Sequence, residues 1–78
     1  MKNENLYKCS DFNLSCVLKY LGCGLVYIQN DRGKKTWCFK RSKRLDQILK
    51  NYWRGNVSVN IVDFLAVQDF MKSSIYNQ

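Results

Sequence analysis

The sequence predicts a small α+β domain in which a two-stranded antiparallel hairpin packs against three helices. Three observations point to it. Apolar residues recur at helical spacing in three separate stretches. Between the first and second stretch lie two runs rich in β-branched and aromatic residues, "GLVYIQN" and "KTWCFKR", joined by the turn residues "NDRGK". Seventy-eight residues, 46% of them hydrophobic, suffice for one thin core. The expected order is α-β-β-α-α, a single domain over residues 1–78 with residues 1–8 as a flexible N-terminal segment.

The first helix is expected over residues 10–21. Ser10 is the candidate N-cap and Asp11 lies in the acid-favouring first turn. Leu14, Val17, Leu18 and Leu21 make the apolar stripe, and Gly22 sits where a left-handed residue ends a helix. The hairpin is expected to turn through a three-residue loop, Asp31 and Arg32 followed by Gly33 in the bulge position. That register pairs Tyr27 with Trp37 and Leu25 with Phe39 on one face. Val26, Ile28, Thr36 and Cys38 fall on the other.

The second helix is expected from Lys43 to Arg54, capped by Ser42 and ended by Gly55. Its stripe of Leu45, Ile48, Leu49, Tyr52 and Trp53 is the clearest period in the chain. The third helix is expected from about Asn60 to Tyr76, with Asp63 in its first turn. Ile61, Phe64, Leu65, Met71 and Ile75 would face the core. Ala66, Val67 and Phe70 would lie on an uncovered flank, with Val67 and Phe70 as candidate self-association residues of a homodimer.

The motifs "CSDFNLSCVLKYLGCGL", "WCF", "LDQILKNYWRG" and "FLAVQDFMKSSIY" carry a resemblance. With Ser10, Asp11, Gly22, Trp37, Phe39, Tyr52, Gly55, Phe64, Lys72 and Tyr76 at matching places, the chain resembles a family of small bacterial and phage domains of unknown function. The resemblance implies the same element order and no activity. One feature departs from it. The family's second helix usually begins with acidic residues, whereas this chain has Lys43 and Arg44 there.

Those two cations oppose the helix dipole, at about 0.3–1 kcal/mol each. They belong to a larger asymmetry. Residues 32–54 hold nine of the thirteen Lys and Arg against one acid, Asp46. The nine are Arg32, Lys34, Lys35, Lys40, Arg41, Lys43, Arg44, Lys50 and Arg54. A one-sided basic segment is the footprint of a nucleic-acid binder, and phosphate contacts would outweigh the dipole penalty. Nothing in the chain resembles a recognition helix that aims Asn, Gln and Arg at base edges, so binding without strong sequence preference is expected. Trp53, beside Arg54, is the aromatic expected to be partly exposed. Tyr27, Trp37 and Phe39 would otherwise form either core or a base-stacking platform.

Other classes find less support. There is no histidine to act as the usual general base, and no nucleotide-binding or nucleophile-elbow motif, so no enzyme is expected. Cys9, Cys16, Cys23 and Cys38 are separated by six, six and fourteen residues, without the close ligand pairs of a zinc site. They are read as structural thiols, ahead of disulfides or a metal. Changing Cys9 and Cys23 together to Ser is expected to leave folding close to normal, whereas changing Cys16 or Cys38 costs stability if they are buried. No metal and no cofactor are expected. With no stretch of about 18 apolar residues and no apolar leader in "MKNENLYKCS", a cytoplasmic protein without membrane contact is expected, in the host cytoplasm if phage-encoded. The leading expectation is a small phage-type accessory protein that binds nucleic acid. The alternative is a protein–protein module, such as an anti-CRISPR-like inhibitor docking on a host nucleoprotein.

Overall fold

In the computed structural model, the backbone is described for residues 6–76 and the side chains for residues 6–73. The first described element is a strand, where the sequence predicts a flexible segment. β1 (Leu6–Cys9) pairs antiparallel with β3 (Lys34–Lys40), which also pairs with β2 (Leu25–Asp31). The sheet therefore has three strands in the order β1-β3-β2, and the element order is β-α-β-β-α-α. This corrects both the two-stranded hairpin and the flexible assignment of residues 6–8; residues 1–5 lie outside the described residues. β1 is only four residues long, and Lys8 interrupts its apolar run. A strand that short is specified by the central strand it pairs with, Leu6 opposite Lys40 and Cys9 opposite Trp37, more than by its own residues.

Because β1 runs to Cys9, α1 (Phe12–Tyr20) starts late. Asp11, rather than Ser10, is its N-cap: the carboxylate accepts from the Leu14 N–H at 3.1 Å. Ser15 donates to the Asp11 carbonyl at 2.8 Å, which satisfies the one buried hydroxyl of the core. Gly22 ends the helix with φ +91°, as its position predicts.

The hairpin differs from its expected form in two ways. Asp31 pairs with Lys34, so the loop has two residues, Arg32 and Gly33, with φ of 55° and 85°. Two left-handed residues make a type I′ turn, whose twist matches the flanking strands. Leu25 pairs with Phe39 as expected, but the ladder shifts between Leu25 and Tyr27. Tyr27 then opposes Cys38 and Ile28 opposes Trp37. One displaced residue exchanges faces in a strand of period two. Ile28 takes the core side and Tyr27 leaves it.

All three helices lie on one side of the sheet. Tyr7, Cys9, Leu25, Ile28, Trp37 and Phe39 meet Leu14, Val17 and Leu18 of α1, Leu45 and Ile48 of α2 (Lys43–Trp53), and Met71 of α3 (Ile61–Tyr76). Phe12 packs on Trp37 with ring centroids 5.6 Å apart. Ser42 caps α2, accepting from the Leu45 N–H at 3.1 Å. Cys9, Cys16, Cys23 and Cys38 are all buried and free, so Cys9 and Cys23 are as enclosed as Cys16 and Cys38. Burial pushes the Cys16 thiol up to about 11, with Lys72 opposing the shift. The Cys23 thiol is also raised by burial, against the pull of Arg44.

α3 is rotated from its expected facing. Phe64, Val67 and Met71 pack toward the core, while Ile61 and Leu65 point outward; the Ile75 side chain lies outside the described residues. A clasp to α1 sets this roll. The Asn60 N–H donates to the Tyr20 hydroxyl at 3.0 Å, and Phe64 meets the Tyr20 ring edge-on at 6.0 Å. Asn60 in turn caps α3, its side-chain oxygen accepting from the Asp63 N–H at 3.1 Å.

Candidate nucleic-acid interface

The nine cations between residues 32 and 54 do not form one patch. Arg32, Lys34 and Lys35 stand at the hairpin turn. Lys40, Arg41, Lys43 and Arg44 stand where β3 runs into α2, about 20 Å away at ~3.3 Å per strand residue. Lys50 and Arg54 lie toward the far end of α2.

Two of the nine are committed within the fold. Arg44 donates from Nη2 to the Leu21 carbonyl at 2.6 Å. Leu21 is the C-cap of α1, so the guanidinium sits on the negative end of that helix dipole. Arg41 lies over the Tyr7 ring, 5.3 Å from its centroid, and pairs with Asp46 at 3.5 Å. Burial raises the Tyr7 phenol, and Arg41 works in the opposite direction. Lys43 is exposed at the start of α2.

The sheet has a second face. Strand alternation places Leu6 and Lys8 of β1, Lys34, Thr36, Cys38 and Lys40 of β3, and Tyr27, Gln29 and Asp31 of β2 on the side away from the helices. Among the described residues, no helix covers it. Lys8, Lys34, Lys40 and Gln29 are exposed, and Tyr27 is 46% exposed. Cys38 is buried under this layer, and a side-chain hydrogen bond to Cys38 raises the Tyr27 phenol. The face therefore presents three lysines and one tyrosine against one acid, Asp31.

Lys8 and the outward placement of Tyr27 were not legible as site features. Lys8 was hidden by the segment's brevity, and Tyr27 by the ladder shift. Trp37 and Phe39 are buried, which removes them from any stacking platform. Trp53 is 70% exposed as expected, with its ring edge-on to Tyr52 at 5.1 Å, but it sits with Lys50 and Arg54 on α2, outside the sheet.

Among the described residues, no group of three or more acids or cysteines lies close enough to hold a metal ion. No helix there is long and apolar enough to cross a membrane. Neither the curated proteins nor the solved structures contain a match to this chain. A family model does match, over residues 4–77. The chain belongs to the family described as a domain of unknown function, DUF5659.

Proposed function

We propose that this protein binds nucleic acid on the open face of its sheet, with a preference for unpaired strands. The observation that carries the reading is the composition of that face: Lys8, Lys34 and Lys40 on the same side as a half-exposed Tyr27, with Arg32 at the adjoining turn. Lysines track phosphates without reading sequence, and an aromatic on an open sheet stacks on a base that no duplex holds. Duplex DNA offers no unstacked base to Tyr27. The basic residues of the original segment thus support the reading in part, Lys8 joins them, and Arg41 and Arg44 drop to structural roles.

Fluorescence anisotropy with mixed-sequence single-stranded and duplex oligonucleotides tests this across a salt series. Three neutralised phosphates give a slope of log K against log salt near −2 for a single strand. Lys8→Glu with Lys40→Glu should weaken binding at least tenfold, while Tyr27→Ala costs about 1–3 kcal/mol of stacking. Affinity indifferent to salt, or unchanged in the Lys8/Lys40 variant, counts against the reading.

A further inference from the structure

α3 is apolar on both sides. Its inner side, Phe64, Val67 and Met71, is used by the core. Its outer side still carries Ile61, Val62, Leu65 and Phe70, which are 62, 72, 50 and 52% exposed. At about 200 Å² for each fully exposed apolar residue, that leaves roughly 450 Å² of apolar surface on one helix. A helix seated on a core with its other side in water has a polar outer side. Here Asp69 and Lys72 share that side with four large exposed apolar residues, a surplus that marks a surface which another surface covers.

We infer that the cover is a second copy of this chain, docked through α3 about a two-fold axis. Size is the first argument. A standard interface buries about 800 Å² per partner, a little more than half of it apolar, and the α3 patch supplies that apolar share.

Charge is the second. The charged residues of α3 and of the hollow beside it are Lys19, Asp63, Asp69 and Lys72, which cancel. The net charge of +7 is therefore carried by the rest of the molecule. Two copies of a basic protein meet here without like-charge repulsion, and a polyanion or an anionic membrane finds no net attraction.

Shape is the third. Val62 and Leu65 stand out one turn before a hollow of about 360 Å³ lined by Lys19, Tyr20, Ala66, Val67 and Phe70. Lys19 Nζ lies 5.4 Å from the Phe70 ring centroid, forming one wall. An isologous contact needs a ridge and its receptor on one surface. With the two α3 helices antiparallel and Ala66 at their crossing, the ridge of each copy enters the hollow of the other. Ala66 is the smallest residue on this side, so the axes can approach to about 8 Å there.

Sedimentation equilibrium on the full chain, from low micromolar to near-millimolar concentration, is the first measurement. A monomer–dimer equilibrium is expected. Val62→Glu with Leu65→Glu should hold the chain monomeric throughout with its helical circular dichroism unchanged, because neither side chain is part of the core. A cross-link is the second measurement and decides the matter if the double variant unfolds. Ala66→Cys should form a disulfide-linked dimer under mild oxidation, against a low background from four buried native thiols. Ser73→Cys, about two turns from the crossing, should not. A wild type that is monomeric at every concentration, or a dimer that survives the double variant, overturns the inference. So does cross-linking at position 73 instead of 66. Retained oligonucleotide binding in the monomeric variant keeps this result separate from the proposed function.

Discussion

Arg44 gives the sharpest test of how the fold uses its charge. Position 44 lies in the first turn of α2, where the dipole disfavours a cation by about 0.3–1 kcal/mol. Local electrostatics alone therefore predict that Arg44→Ala stabilises the protein. The structure predicts the reverse. The guanidinium donates to the Leu21 carbonyl at 2.6 Å, at the C-terminal end of α1. A charge-assisted hydrogen bond of this kind contributes about 1.5 kcal/mol near the surface, and the α1 dipole adds about 0.5 kcal/mol. Subtracting the α2 penalty leaves a net loss on the order of 1–1.7 kcal/mol for Arg44→Ala. In a domain of this size each kcal/mol lowers the melting temperature by about 4–8 °C. Arg44→Met keeps the aliphatic stem and removes the fork, so it separates lost packing from the lost clamp. Lys43 is the control. It has the same dipole and no clamp, so Lys43→Ala should stabilise by about 0.3–1 kcal/mol. Urea denaturation of the three variants measures the contrast. If Arg44→Ala matches or exceeds wild-type stability, or if positions 43 and 44 respond alike, the interhelix clamp is refuted.

Two further outcomes follow from single residues. Arg32 holds φ 55° without being glycine, so Arg32→Asn should raise stability by about 1 kcal/mol in urea denaturation while lowering oligonucleotide affinity, because Asn suits the left-handed position and carries no charge. The Cys16 thiol titrates near 11 when folded and near 9.0 when unfolded, so above pH 9 the unfolded chain releases a proton that the folded chain keeps. The associated stability is present below pH 9 and lost as pH rises toward 11, an effect of up to roughly 2 kcal/mol that Cys16→Ala should abolish in alkaline denaturation curves.

What the sequence made legible were features decided within a few residues. Ser42 as a cap, Gly22 and Gly55 as helix ends and the α2 stripe all depend on local geometry, and each is found where its spacing places it. Leu45 and Ile48 could be assigned to the core because α2 is polar on its other side. α3 offered no such contrast. With apolar residues at 61, 62, 64, 65, 67, 70 and 71, several rotations bury an equal amount, and the choice is made by Tyr20 from another helix. The ladder shift at Val26 was hidden for a similar reason. Leu25, Val26, Tyr27 and Ile28 are all acceptable on either face of a strand, so only pairing with β3 decides which of them is covered. The candidate interface was legible as a surplus of charge. Its division was not, because the commitments of Arg41 and Arg44 are made to Tyr7, Asp46 and Leu21, of which only Asp46 is close in sequence.

The sheet order also carries a kinetic consequence. β2 and β3 are joined by a two-residue turn and can zip locally, whereas even the closest β1–β3 pair, Cys9 with Trp37, is 28 residues apart. Bringing β1 home closes a long loop and fixes only four residues, so its docking repays the entropy of closure least and comes late. By the same reasoning β1 is the first part of the sheet to open in the native state, at a free energy below that of global unfolding. Cys9 closes the core beside Trp37 and Lys8 stands opposite Cys38, so each such opening uncovers Cys9 and loosens the cover of Cys38 while Cys16, inside α1, stays shielded. The chain thus carries its own graded set of reporters, in which the order of thiol reactivity follows the order in which the fold comes apart.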